Sequence, residues 1–156
     1  MYDRILVPHA GTAGGDEALR HAIEIAKRFS SQIYILHIIE QVHSPPTWSL
    51  AESERNVLLE RIKNVNDSIK EEAEKMIEKK ALQCKENNIE TAIKVDIGDA
   101  AEMILDMIEN EKIDLVIMAK RRKLKGVKKL LSLGSVSRKI VENVTCPVVL
   151  LDIENL

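Results

Sequence analysis

Five short apolar runs punctuate this chain, and between them apolar residues recur at helical spacing. Arg4-Ile5-Leu6-Val7-Pro8 is closed by proline and reads as a buried first strand. After a small-residue loop from His9 to Gly15, Asp16 opens a helix to about Phe29. Its Leu19, Ala22, Ile23 and Ala26 fall at i, i+3, i+4 and i+7, which makes one apolar stripe. Ile33 to Ile39 is β-branched and bounded by Ser30-Ser31 and Glu40, a second buried strand. A linker from Gln41 to Trp48, with Pro45-Pro46, leads to Ser49-Leu50-Ala51-Glu52, which has capping-box spacing. From there to about Asn87 the pattern is helical, through Leu58, Ile62, Val65, Ile69, Ala73 and Met76. The run Asn64 to Ser68 leaves one helix or two as alternatives. Thr91 to Ile97 is a third strand, Gly98-Asp99 a turn, and Ala100 to Asn110 a helix with Ile104, Met107 and Ile108 inward. Asp114 to Ala119 is a fourth strand. Gly134-Ser135 opens a helix to about Asn143, and Pro147 to Leu151 is a fifth strand that begins after a proline, where a missing amide is tolerated.

Alternation of buried strands with helices predicts an α/β fold: a five-stranded parallel sheet with helices on both faces, as a single domain over 1–156. In such sheets ligands sit at the carboxyl ends of the strands, near the point where strand order reverses. Two loops stand out at that rim, His9 to Gly15 after the first strand and Lys120 to Leu133 after the fourth.

Composition changes this picture little. Aromatics are only 3%, so the core has to be aliphatic. The formal net charge of -2 gives no global pull towards nucleic acid or an anionic membrane, so any such pull has to be local. Cys84 and Cys146 form no CxxC, which argues against a disulfide framework or a zinc site and fits a reducing cytoplasm. No apolar run approaches the ~20 residues that span a bilayer. The expectation is a cytoplasmic protein without a membrane segment.

The basic stretch is the local exception. Seven of the ten residues from Lys120 to Lys129 are Lys or Arg, and no acidic residue occurs between Leu115 and Val141. Such a segment can neutralise a polyphosphate or remain a solvated loop; nucleic acid ranks below both, because no aromatic residue is present to stack on bases. Gly134-Ser135 sits where a helix begins. The first amides of a helix lack internal partners, so an anion fits there, or Ser135 serves simply as the N-cap.

Signs of catalysis are scarce. His9 follows the first strand and is expected to face the cleft, yet it has no paired carboxylate or nucleophile by spacing. His37 lies inside a strand, and neither cysteine has an assignable base. No catalytic residue and no metal cluster is expected.

Taken together, these segments resemble the universal stress protein family over nearly the whole chain, from Tyr2 to about Asp152. "MYDRILVPHAGTAGGDEALRHAIEIAK" is similar to the family's opening strand, loop and first helix. "IYILHII" is similar to its second strand, and "VDIGDAAEMILDMIENEKIDLVIMA" to its glycine-aspartate turn, third helix and fourth strand. "LLSLGSVSRKIVENVTCPVVLL" resembles its most characteristic segment. The resemblance implies a Rossmann-like, adenine nucleotide alpha hydrolase-like sheet. It also implies a stress-response binding module that acts through partners and forms a homodimer by pairing of the last strand, here Val148, Val149, Leu150 and Leu151.

Some members of that family bind ATP through a G-x2-G-x9-G-[ST] motif after the fourth strand and an aspartate after the first. Gly134, Ser135 and Val136 match the motif's last element. The first glycine falls at Ala119 and the second near Arg121 or Arg122, in a segment about two residues longer than the family's spacing. Ala10 stands where Pro8-His9-Ala10-Gly11-Thr12 aligns with the family's P-x-D-G-S. The resemblance thus implies an ATP site in which Gly134 and Ser135 hold phosphates, helped by Lys120 or Arg121, and Val7, Pro8 and Ile39 line the adenine pocket, with His9, Ala10, Ala119 and Val136 as further candidate binding residues. With the aspartate and two glycines replaced, the expectation is weak or lost nucleotide binding and no enzymatic activity. The alternatives are an ATP-binding member with slow or no ATPase activity, and an anion or nucleic-acid binder acting through Lys120 to Lys129.

Overall fold

The computed structural model describes residues 1–40, 46–120 and 134–152. In chain order the elements are β1 (Arg4–Pro8), α1 (Ala13–Phe29), β2 (Gln32–Glu40), α2 (Glu52–Glu86), β3 (Thr91–Gly98), α3 (Ala100–Asn110), β4 (Leu115–Ala119), α4 (Ser135–Asn143) and β5 (Val148–Leu151). The strands form one sheet in the order β3-β2-β1-β4-β5, and every neighbouring pair is parallel. The α/β architecture expected from the alternation is the one observed.

Helices cover both faces because the strands are apolar on both. Ile5, Val7, Ile33, Ile35, Leu115 and Ile117 point towards α1 and α2, where they meet Leu19, Ala22, Ile77 and Cys84. The alternate residues Leu6, Leu36, Val116 and Met118 point towards α3 and α4, where they meet Ile104, Ile108 and Ile140. Period-two alternation in the strands thus feeds two separate aliphatic layers.

The ends of the helices differ from the sequence expectation in three places. First, α1 begins at Ala13 rather than Asp16, because Thr12 is its N-cap and accepts from the Gly15 amide at 3.4 Å. Second, Ser49 and Glu52 do not form the capping box of α2. Ala51 is the N-cap, and the Glu54 carboxylate accepts from the Ala51 amide at 3.1 Å, so only the glutamate half of such a motif operates. Third, Gly134 and not Ser135 is the N-cap of α4, which makes Ser135 its first helical residue. The alternatives for 64–68 resolve to one continuous helix of 35 residues. At 1.5 Å per residue it spans about 50 Å, roughly twice the length of the longest strand. Its buried residues, Ala73, Ile77 and Cys84, all lie in the second half.

At the amino ends of the strands, the Asp114 carboxylate accepts from the Asp3 amide at 2.8 Å and from the Arg4 amide at 3.2 Å. That double acceptor joins β1 to the start of β4 across more than a hundred residues of sequence. The carboxyl ends are thereby left as the open rim.

Candidate functional site

Strand order reverses between β1 and β4. The chain leaves β1 into α1 on one face, and after β4 it returns through α4 on the other. Because the two strands are parallel neighbours, the turns that follow them share one rim and diverge from it. That is the crevice of a doubly wound sheet.

The turn after β1 is built around His9. Its imidazole is fully buried, and its backbone amide donates to the Leu36 carbonyl at 2.8 Å. Nδ1 accepts from the Gly11 amide at 3.0 Å, and Nε2 lies 3.1 Å from Asp16 Oδ1. Since Nδ1 is an acceptor, Nε2 carries the proton and donates it to the carboxylate, which fixes a neutral tautomer. Burial pushes the His9 pKa down, and the nearby Asp16 only partly offsets it. For Asp16, partial burial acts upward, but hydrogen bonds from Lys80 and His9 outweigh it and hold the carboxyl below its ordinary range. The Lys80 ammonium lies 2.6 Å from the same oxygen. His37 Nδ1 donates to the His9 carbonyl at 2.6 Å.

Two glycines allow this arrangement. Gly11 has φ +73°, a left-handed conformation that side chains rarely adopt, and it lies against the Met76 thioether of α2. Gly15 lies flat against the imidazole: a Cβ there would sit 2.8 Å from His9 Nδ1 and Cε1. The loop's path is therefore set by α1 and α2 together, through Gly15, Asp16, Met76 and Lys80.

His9 was expected to face the cleft without a carboxylate partner. The structure turns it inward and gives it one, seven residues on, in the first turn of α1. Val7 is wholly buried in the layer beneath α1 and α2, with Ile39 partly buried beside it. Pro8 is half-buried and Ala10 exposed. Ala119 ends β4, and Lys120 continues into the rim, where its amide donates to the Leu151 carbonyl at 3.0 Å and its ammonium lies 2.7 Å from Asp152. Gly134 is half-buried, Ser135 is exposed at the amino end of α4, and Val136 packs against the layer of Ile140. Arg121 and the rest of the basic stretch to 133 lie outside the described residues. Pro8, Ala10, Ala119, Lys120, Gly134 and Ser135 thus share the rim, while Val7 and His9 sit below it.

Asp16, His37 and Lys80 are the residues that sequence reasoning missed. A signal existed for Asp16: a loop of about one turn followed by a helix brings position i+7 back onto His9. None existed for Lys80, which arrives from α2 only through tertiary packing. Among the described residues no group of three or more His, Cys, Asp or Glu is placed to hold a metal ion.

Known proteins share this fold. Universal stress protein MJ0531 of Methanocaldococcus jannaschii is 29% identical over 148 residues, covering 95% of this chain and 81% of that protein. Among solved structures, hypothetical protein MJ0577, the subject of a structure-based assignment of biochemical function, superposes with a TM-score of 0.79 at 22% identity, covering 100% of this chain and 99% of that one. A universal stress protein in complex with cAMP superposes with a TM-score of 0.65 at 16% identity, covering 96% and 97%. The sequence profile described as "Universal stress protein family" matches residues 1–152, which takes in both rim turns and all five strands, so the chain belongs to the universal stress protein family.

Proposed function

We propose that this protein is a regulatory binding module of the stress response with a weakened adenine-nucleotide pocket at the rim between β1 and β4, and that it is not an enzyme. The observation that carries the reading is at position 10. A carboxylate there would project from the exposed turn after β1, but the residue is alanine. The neighbouring His9 imidazole cannot substitute, because both of its nitrogens are engaged below the rim. A well-placed acceptor contributes roughly 1–2 kcal/mol to binding, or about 5- to 30-fold in affinity. The amino end of α4 at Gly134-Ser135 keeps outward amides suited to a phosphate.

The test is calorimetry with Mg-ATP, AMP and cAMP on the wild type and on Ala10→Asp. Weak binding by the wild type, strengthened about 5- to 30-fold in the variant, is the expected result. Wild-type affinity already in the low micromolar range would overturn the weakened pocket. An Ala10→Asp variant that binds no better would overturn its location.

A second reading, a competent nucleotide binder, is favoured by the solved family member held in complex with cAMP. Mass spectrometry of nucleotide released from the purified, gently unfolded protein separates the two. We further assign a homodimer through β5, which is the edge of the sheet and is half-buried along its whole length. An apolar edge strand with unpaired amides favours pairing with another strand. Among the described residues no helix is long and apolar enough to cross a membrane; a place in the cytoplasm belongs to the same proposal. Of the basic stretch, only Lys120 lies in the described residues, and it is already paired with Asp152.

A further inference from the structure

Among the described residues, the first half of α2 buries no side chain against the rest of its chain, and just beyond it the Lys70 ammonium lies 4.0 Å from Asp96 of β3. From Glu52 to Glu72 no residue is buried, although Val57, Leu59, Val65 and Ile69 are 50%, 47%, 57% and 39% exposed and Leu58 and Ile62 are half-buried. Leu58, Ile62, Val65 and Ile69 follow one another at spacings of four, three and four, which is the seam of a coiled coil. A shallow depression runs beside that seam, lined by Asn64, Val65, Ser68, Ile69 and Glu72.

The helix is also intrinsically poor there. Asn64-Val65-Asn66-Asp67-Ser68 are all weak helix formers, each costing about 0.5 kcal/mol relative to alanine. The Ser68 hydroxyl donates back to the Asn64 carbonyl at 3.0 Å, a bond that slightly weakens helices. A half-helix of that composition, whose first buried side chain is Ala73, gains from a surface that covers its seam.

We propose that this surface is a self-docking site: the exposed half of α2 packs antiparallel against the same segment of a second copy of the chain, on a two-fold axis between Lys63 and Asn64. The charge pattern selects this occupant and this direction. With Ile62 opposite the second copy's Val65, Leu58 falls opposite the second copy's Ile69, so all four seam residues are matched in closed layers. The next layer outward sets Arg55 against the second copy's Glu72. The flanking row sets Glu54 against the second copy's Lys75, which also reaches Glu71 of its own helix at 2.7 Å. Each of these is an opposite-charge contact, and the two-fold repeats it. Arg55 and Glu72 are exposed and in no ion pair among the described residues. A parallel pairing would instead place Arg55 against Arg55 and Glu72 against Glu72. Because α2 covers β2 and β3, at the far side of the sheet from β5, this interface is independent of any pairing through β5.

Sedimentation velocity over a concentration series tests association. The wild type is expected to associate, and Val65→Glu, which places a carboxylate in two central layers, is expected to abolish that step. Arg55→Glu and Glu72→Arg are each expected to weaken it about tenfold, and the double variant to restore it. Direction is read by mild oxidation with diamide, using the oxidised wild type as background for Cys84 and Cys146. A mixture of Leu58→Cys and Ile69→Cys chains is expected to form a cross-linked pair, while Leu58→Cys alone is not. A wild type whose assembly Val65→Glu leaves unchanged overturns the proposal, as does failure of the charge swap to restore association. Cross-linking of Leu58→Cys alone would replace it with a parallel pair. Pairing lost only on disrupting β5 would leave the strand interface standing and remove this one.

Discussion

Gly15→Ala isolates the contact that shapes the rim turn. Two opposing effects act at this position. Alanine in the first turn of α1 favours the helix by up to about 1 kcal/mol relative to glycine. Against that, its Cβ would meet three ring atoms of His9 at 2.8, 2.8 and 2.9 Å, closer than carbon atoms approach without displacement. The ring has no room to retreat, since it is fully buried and anchored at both nitrogens. Overpacking of this kind costs typically 1–3 kcal/mol, so the net expectation is a loss of up to about 2 kcal/mol. In a domain of this size that lowers Tm by up to about 6 °C. Urea unfolding of Gly15→Ala, His9→Ala and the double variant measures the coupling directly. In the His9→Ala background the clash is gone, and Gly15→Ala should be neutral or stabilising. If Gly15→Ala stabilises the wild-type background by the helix-propensity amount, the imidazole does not lie against position 15.

Further outcomes follow from the same network and from the helix ends. Because burial holds the His9 pKa below its ordinary 6.5, the unfolded chain takes up a proton first as pH falls. Stability present above pH 6.5 should therefore decline below it, and denaturant midpoints of the wild type should show this slope while His9→Asn flattens it. Removing the ammonium with Lys80→Met should raise the Asp16 pKa towards its ordinary 3.8, read by carboxyl NMR titration. Asp99→Ala removes the cap of α3, where the carboxylate accepts from the Glu102 amide at 2.9 Å. That should cost about 1 kcal/mol in chemical unfolding with little change in m.

The parallel sheet was legible because strands buried on both faces leave unbroken apolar runs, as in Ile5-Leu6-Val7 and Ile33 to Ile39. Helix starts were less legible. Thr12 caps α1 by a short-range hydrogen bond, but the glycines after it obscure the helical period, so Asp16 looked like the opening residue. The long α2 was ambiguous because Asn64 to Ser68 carry weak local preference, and the continuity is decided by the helix around them. Of the rim, Gly134 and Ala10 could be placed by following the strands to their ends. The inward turn of His9 could not, because it depends on Lys80 and Met76, which approach from an element seventy residues later.

The clasp of Asp114 on the first amides of β1 carries a consequence for how the molecule is assembled. The middle of the sheet pairs residues 5 and 6 with 115 and 116, so this seam forms only after most of the chain exists. Closing a loop of that length costs several kcal/mol of chain entropy before any ladder bond rewards it. During synthesis, β1 can pair with β2 early but waits, with its other side open, until β4 emerges. The nascent protein thus spends much of its making as a three-stranded fragment with an apolar flank, until the Glu111 carbonyl takes up the Arg4 side chain and the Asp114 carboxylate, just ahead of β4, ties down the amides beside it.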